Sequence, residues 1–236
     1  MIGKIKKLSK LAVNKTYRNA VLKGSAAGIE HEKVLRKLDC NTIIDVGANK
    51  GQFALAARKC FPKAKIYSFE PLTHPAEIFE KVFSDDKNVK LFRFAVSSES
   101  GETEIHISHR EDSSSLLPIS EKQNEMFPGT YEVGTEKIVM KRLNEVLNIT
   151  DMAKPVLMKI DVQGFELSVL KGSVELLGEI KYIYSECSYI ELYKGQALFP
   201  EISAFLENYG YKLAGEYNTS YDNKGDPIQS DFLFER

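Results

Sequence analysis

The chain has 236 residues, 43% of them apolar, enough for one substantial core, and its length favours one large domain over two small ones. A formal net charge of −1 gives no overall pull toward nucleic acid, and no stretch reaches the roughly 18 consecutive apolar residues of a membrane span. Cys40, Cys60 and Cys187 are widely spaced without a Cys-x-x-Cys pair, and His31, His74, His106 and His109 are unclustered, so neither a disulfide framework nor a zinc site is indicated.

Residues 1–23 carry Lys4, Lys6, Lys7, Lys10, Lys15, Arg18 and Lys23 and no acid, which leaves the remainder acidic. They lack the roughly 7–15-residue apolar stretch of a secretory signal, so a cytoplasmic protein is expected. Ile5, Leu8, Leu11 and Ala12 fall near helical spacing. They predict a basic helix that either packs on the domain or lies on the inner face of an anionic membrane. The expected organisation is a basic helical extension over 1–28 followed by a domain over 29–236.

Glu30 to Leu38 reads as a helix with Ile29, Val34, Leu35 and Leu38 inward. Thr42 to Gly51, Thr-Ile-Ile-Asp-Val-Gly-Ala-Asn-Lys-Gly, then passes from a β-branched apolar run into a glycine turn and a helix start. Gly47 and Gly51 let a ligand approach the backbone at the carboxyl end of a buried parallel strand. Their Gly-x-x-x-Gly spacing is not the Gly-x-Gly-x-x-Gly that cradles a pyrophosphate, which disfavours a Rossmann dehydrogenase. Asp45 beside the turn would repel a phosphate but suits an ammonium group, and backbone N–H groups at the helix start suit a carboxylate. S-adenosylmethionine carries both.

The first crossover helix, with Phe53, Leu55, Ala56, Ala57 and Cys60, stops at Phe61-Pro62. Lys65 to Glu70 is the next strand, and Glu70 falls about 20 residues past the glycine turn, as expected of an acid that holds ribose hydroxyls. Pro71 ends it. A helix over 75–83, strands over 89–96 and 180–186, and this alternation predict a doubly wound, mostly parallel sheet. Glu102 to Ser108 alternates like an added strand on the sheet edge. From His109 to Thr135 the periodicity disappears, and the long polar loop is read as a substrate lid.

Pro155 to Asp161 is another buried strand ending in a carboxylate, followed by a helix with Phe165, Val169, Leu170, Val174 and Leu177 inward. Asp161 at the carboxyl edge of the sheet is expected to do chemistry or bind a metal. Glu166, in the first turn of that helix, is open between catalysis and stabilisation of the helix dipole. Ser185 to Tyr189 and Tyr193 follow the next strand and suit an acceptor pocket. Helix 202–206 and strands 211–217 and 228–234 complete the chain.

The stretches Asp45-Val-Gly-Ala-Asn-Lys-Gly51, Phe69-Glu70-Pro71, Ala95-Val96-Ser97, Ser114-Ser115-Leu116 and Lys159-Ile-Asp-Val-Gln-Gly-Phe-Glu166 with Leu170-Lys-Gly172 together resemble the FkbM-type methyltransferases. The resemblance runs in family order from Thr42 to Gly172. It implies a Rossmann-like, seven-stranded class I methyltransferase sheet closed by an antiparallel hairpin, and methyl transfer from S-adenosylmethionine to a hydroxyl of a sugar, glycan or glycosylated natural product. On this reading Gly47, Asn49 and Gly51 hold the methionine part, Asp45 its ammonium and Glu70 with Pro71 the ribose, while Ala95 and Val96 flank the adenine. Ser114, Ser115, Gln163 and Tyr193 face the acceptor.

Gln163 stands where family members usually have Glu, and it keeps hydrogen-bonding capacity without charge or basicity. The proton of the acceptor then falls to Asp161, Glu186 or Glu166. A carboxylate with a pKa of about 4 is a weak base for an alcohol, so either Mg²⁺ held by Asp161 and Glu186 assists, or the proton leaves late in the displacement. The alternative is a catalytically inactive S-adenosylmethionine-binding scaffold in a glycan assembly complex.

Overall fold

The computed structural model describes residues 14–148, 150 and 152–236. The basic stretch with Ile5, Leu8, Leu11 and Ala12 lies outside them, so the membrane helix expected there goes unaddressed. Helix α1, Lys15–Leu22, begins at Asn14, whose side chain accepts the Tyr17 N–H. It buries Tyr17 and Ala20 against Ala27 and Leu55, and the Tyr17 hydroxyl donates to Glu32 at 2.9 Å. A 3₁₀ turn, Ile29–His31, and helix α2, Glu32–Leu35, replace the single helix expected over 30–38.

The centre is a seven-stranded sheet in the order β3-β2-β1-β7-β8-β10-β9. Its strands are β1 Thr42–Val46, β2 Lys65–Phe69, β3 Val89–Phe92, β7 Val156–Ile160, β8 Tyr182–Ser188, β9 Lys212–Tyr221 and β10 Pro227–Glu235. The first five in this list are mutually parallel, and β10 pairs antiparallel with both β8 and β9. Strand order reverses between β1 and β7, the switch point where ligands settle in such sheets.

The near-continuous apolar runs of β1 and β7 follow from burial on both faces. Ile44, Val46, Met158 and Ile160 pack with Val169 and Leu170 of helix α6, Glu166–Lys171, with Leu176 and Leu177 of helix α7, Val174–Leu177, and with Ile202 and Leu206 of helix α8, Phe199–Asn208. Ile43 and Leu157 point the other way, onto Phe53, Ala54 and Ala57 of helix α3, Gln52–Cys60, and Phe79 of helix α4, Thr73–Phe83. The doubly wound expectation and the terminal hairpin agree with this architecture.

Two expectations are corrected. The strand read over 89–96 breaks at Arg93, which pairs with Glu80, while Phe94 turns inward against Phe69. The chain then changes sheets. Strand β4, Ala95–Val96, joins β5, Gly101–Ser108, and β6, Glu132–Lys141, in a separate three-stranded sheet ordered β4-β6-β5. The strand over 102–108 is therefore not an edge of the main sheet. The polar loop expected from 109 to 135 is shortened by helix α5, Glu121–Met126, capped by the Ser120 hydroxyl, and by the start of β6.

Candidate active site

The carboxyl ends of β1, β2, β7 and β8 open on a cleft of about 350 Å³, roofed by the segment between β5 and α5. Its floor is the contact of two turns. Gly47, with φ of +77°, brings the turn after β1 so close to the turn after β7 that a Cβ there would lie 1.8 Å from the Asp161 carbonyl oxygen. Gly51, at φ +86°, sits beneath the rings of Phe83 and Phe79 and does not line the cleft. The side-chain face of each glycine is filled by the protein's own atoms; Gly47 still lines the cleft with its backbone, and the expectation of close ligand approach is corrected for Gly51 alone.

The floor holds a buried cation. Lys159 pairs with Asp45 across the β1–β7 ladder. Its Nζ donates to the Gly47 carbonyl at 2.8 Å and stands 3.5 Å from one oxygen each of Asp45 and Asp161. Burial opposes its charge, but the carboxylates of Asp161, Asp45, Asp231 and Glu186 outweigh it and raise its pKa. Asp45 is fully buried, and desolvation raises its own pKa despite Lys159. Its side chain faces Lys159 and Ser68, not the cleft, which leaves it no direct reach to a ligand's ammonium.

Glu70 lies at the end of β2 on the cleft wall with Pro71, Ala95 and Val96. One of its oxygens accepts the Asn49 N–H at 2.8 Å and the other the Leu72 N–H at 2.9 Å. Desolvation pushes its pKa up to about 7 against these two bonds. Each oxygen retains a second lone pair for a ligand hydroxyl. Asn49 itself is left-handed, at φ +44°, and its side chain accepts the Lys50 N–H.

Five polar side chains are joined around Gln163. The Gln163 amide nitrogen donates to Asp161 at 2.7 Å and to Glu186 at 2.8 Å, and Gln229 donates to the other Glu186 oxygen. Tyr193 reaches the Gln163 amide oxygen at 2.8 Å. It is nearly fully buried behind Gln163 and does not face the cleft. An amide turned the other way would set its oxygen against two carboxylates. Desolvation, then Asp161, raises the pKa of Glu186 well above its usual range.

The residues do not fit the expected Mg²⁺. The position between Asp161 and Glu186 is held by an amide nitrogen, which cannot ligate a cation, and no group of three metal-ligating side chains occurs among the described residues. Glu166 is also corrected. One of its oxygens accepts the N–H groups of Val162 and Gly164, and it does not line the cleft. Burial lifts its pKa to about 7 in spite of those bonds.

The roof contributes Arg110 through Leu116 and Phe127. Glu111 pairs with Lys50 at 2.8 Å and His74 at 2.6 Å, tying the roof to the segment after β1 and to α4. Ser115 donates to the Gln163 carbonyl at 2.7 Å, and Ser114 accepts the Ser108 N–H. Both hydroxyls fix the roof's own path. Lys159, His31 and Arg110 also line the cleft, and none was singled out from the sequence. Lys159 carried a readable signal, a lysine inside an otherwise apolar strand two residues before Asp161.

A family model described as the methyltransferase FkbM domain matches residues 45–213, and the chain belongs to that family. It is 30% identical over 165 residues to the 2-O-methyltransferase NoeI of Sinorhizobium fredii, covering 65% of this chain and 66% of that protein. It is likewise 30% identical over 148 residues to the hexuronic acid methyltransferase AglP of Haloferax volcanii, covering 60% and 54%. The aligned part thus falls just short of two thirds of the first relative and spans about half of the second. A solved structure of a protein in the NADB-Rossmann superfamily from Streptococcus agalactiae superposes with a TM-score of 0.49 at 8% identity, covering 90% of this chain and 69% of that one.

Proposed function

We propose that this protein transfers a methyl group from S-adenosylmethionine to a hydroxyl of a sugar or glycan. The observation that carries the reading is one cleft at the strand-order reversal with two unlike ends. At one end Glu70, pinned by the N–H groups of Asn49 and Leu72, offers lone pairs to ribose hydroxyls beside the apolar Ala95 and Val96. At the other, Asp161 and Glu186, held by the Gln163 amide, offer fixed acceptors to a second hydroxylated molecule. The names of the relatives NoeI and AglP support a sugar acceptor.

The bound cofactor supplies an electrophilic methyl on a sulfonium sulfur. The chain's work is to align and to exclude water, which accounts for most of the acceleration of an in-line displacement. Lys159 stiffens the floor through Gly47, and the roof, latched by Glu111, covers the reacting end. Asp161 already accepts from Gln163 and faces Lys159, so its role is to orient the acceptor. Residues 29–236 form the catalytic unit in this reading, with helix α1 packed on it, and the basic residues of 1–23 bring it to an anionic membrane face.

Isothermal titration with S-adenosylhomocysteine on the wild type and Glu70→Ala tests the cofactor. Micromolar binding that is lost in the variant is expected, and no binding by the wild type sinks the reading. Release of S-adenosylhomocysteine on a panel of nucleotide sugars and methyl glycosides, hexuronates included, tests the acceptor. Sedimentation with anionic liposomes tests the extension: equal binding with and without residues 1–23 removes it.

A further inference from the structure

On the cleft wall beside Gly28 and Gln52, His31 is held by a polar network the mechanism above does not use. Its Nδ1 lies 3.2 Å from the Tyr184 hydroxyl of β8 and 3.6 Å from Asp231 of β10. The Tyr184 hydroxyl donates its single proton to Asp231 at 2.9 Å. Asn218 of β9 donates to the same Asp231 oxygen at 2.7 Å and also approaches the Tyr184 oxygen. Phe53 meets the imidazole edge-on at 5.3 Å and carries Lys159 against its ring at 5.7 Å.

These contacts fix a tautomer. With its proton committed to Asp231, Tyr184 can only accept from the imidazole, so Nδ1 carries the hydrogen and Nε2 keeps a bare lone pair. The Cδ2 and Nε2 edge of the ring lies against Gly28, where a Cβ would come within 2.9 Å of Cδ2 and 3.4 Å of Nε2. Both residues line the cleft, and Nε2 has no hydrogen-bond partner among the described residues. A side chain 17% exposed thus lines the cleft with a bare basic atom and turns its donor to a buried carboxylate system.

Resting on the methyltransferase reading, we propose that His31 is the general base of the reaction and that Tyr184 and Asp231 are its positioning residues. As the acceptor oxygen bonds to the methyl carbon, the carbon–sulfur bond breaks and its electron pair stays on sulfur. The hydroxyl proton passes to His31 Nε2. The imidazolium so formed faces Tyr184 and Asp231 through Nδ1–H, and it later returns the proton to water. A neutral imidazole nitrogen with a bare lone pair can take the proton directly, whereas Asp161 and Glu186 already accept from Gln163. Asp231 supplies the compensating negative charge.

The test starts with nitrogen-15 spectra of the histidines in protein saturated with S-adenosylhomocysteine, His31 being assigned by its absence in His31→Gln. A neutral imidazole protonated on Nδ1 in the wild type, and a mixture of tautomers in Tyr184→Phe, are expected. A wild-type imidazole protonated on Nε2 overturns the proposal. Titration with S-adenosylhomocysteine should give His31→Gln an affinity within about threefold of wild type, and a lost affinity would make His31 a cofactor-holding residue instead. On a sugar turned over by the wild type, His31→Gln should lower kcat about 100-fold or more, whereas an unchanged kcat overturns the base. A wild type that turns over no sugar in the panel counts against the proposed function, and the tautomer then decides the placement of His31.

Discussion

A methyl group on residue 47 would sit 1.8 Å from the carbonyl oxygen of Asp161, so the turns after β1 and β7 touch backbone to backbone. The Lys159 ammonium locks the same contact by donating to the Gly47 carbonyl. Gly47→Ala must push these turns apart and adopt a left-handed φ, at a combined cost of about 3 kcal/mol. Urea unfolding is expected to show that loss together with weakened S-adenosylhomocysteine binding. A variant as stable as wild type would mean that the floor yields easily.

Lys159 and Asp45 form a pair that is stable together and costly apart. Lys159→Met leaves Asp45 fully buried without its cation and should destabilise by about 3–5 kcal/mol. Adding Asp45→Asn should recover part of that loss, because the stranded charge is gone. A double-mutant cycle on unfolding free energies measures the coupling, and additive losses would show that the two residues act independently.

Stability should fall as pH rises through neutrality. Glu70 and Glu166 are each pushed by desolvation from an ordinary 4.5 to about 7, so the folded state favours their protonated forms. The stability each contributes is fully present below about pH 4.5 and is lost as pH climbs through 7, on the order of 3 kcal/mol per group. Glu166→Gln keeps an acceptor for the Val162 and Gly164 N–H groups while removing one titration. Its Tm is expected to drop less between acid and mildly alkaline buffer than that of the wild type. Superimposable curves would place the titration elsewhere.

Gln163 keeps two carboxylates apart by donating to both. Gln163→Glu replaces the donor with a third carboxylate, so thermal stability at pH 8 should fall, and Mg²⁺ should restore part of it in the variant while leaving the wild type unmoved. A wild type stabilised by Mg²⁺ as strongly as the variant would contradict the incompatibility of the native residues with a cation.

How much of this was legible in the chain depends on whether a residue's partners are local. The strands β1, β2 and β7 could be read because burial on both faces forces apolar runs, and Glu70 and Asp161 because they end such runs. Strand β6 could not: among its side chains only Ile138 is buried, so it shows no alternation. His31 was set aside as unclustered because Tyr184 and Asp231, its partners, arrive from two distant strands. Tyr193 was expected to face the acceptor, and only packing reveals that it lies behind Gln163 instead. Asp45 read as a ligand contact because nothing in its own segment shows that the ladder sets Lys159 opposite it.

The change of sheet after β3 has a consequence for the protein's adaptability. The chain leaves the main framework at Ser97, whose N–H bonds the Lys141 carbonyl at 3.0 Å, and re-enters beside the same point. Everything that roofs the reacting end between these residues departs and returns through one pair of neighbouring atoms. It is a cassette whose two ends meet at one point and whose other ties, Glu111 to Lys50 and His74 and Ser115 to Gln163, are side-chain contacts. Exchanging residues 98–141 for the corresponding stretch of another family member offers a way to retarget the acceptor while the floor that Gly47, Lys159 and Glu70 build remains as it is.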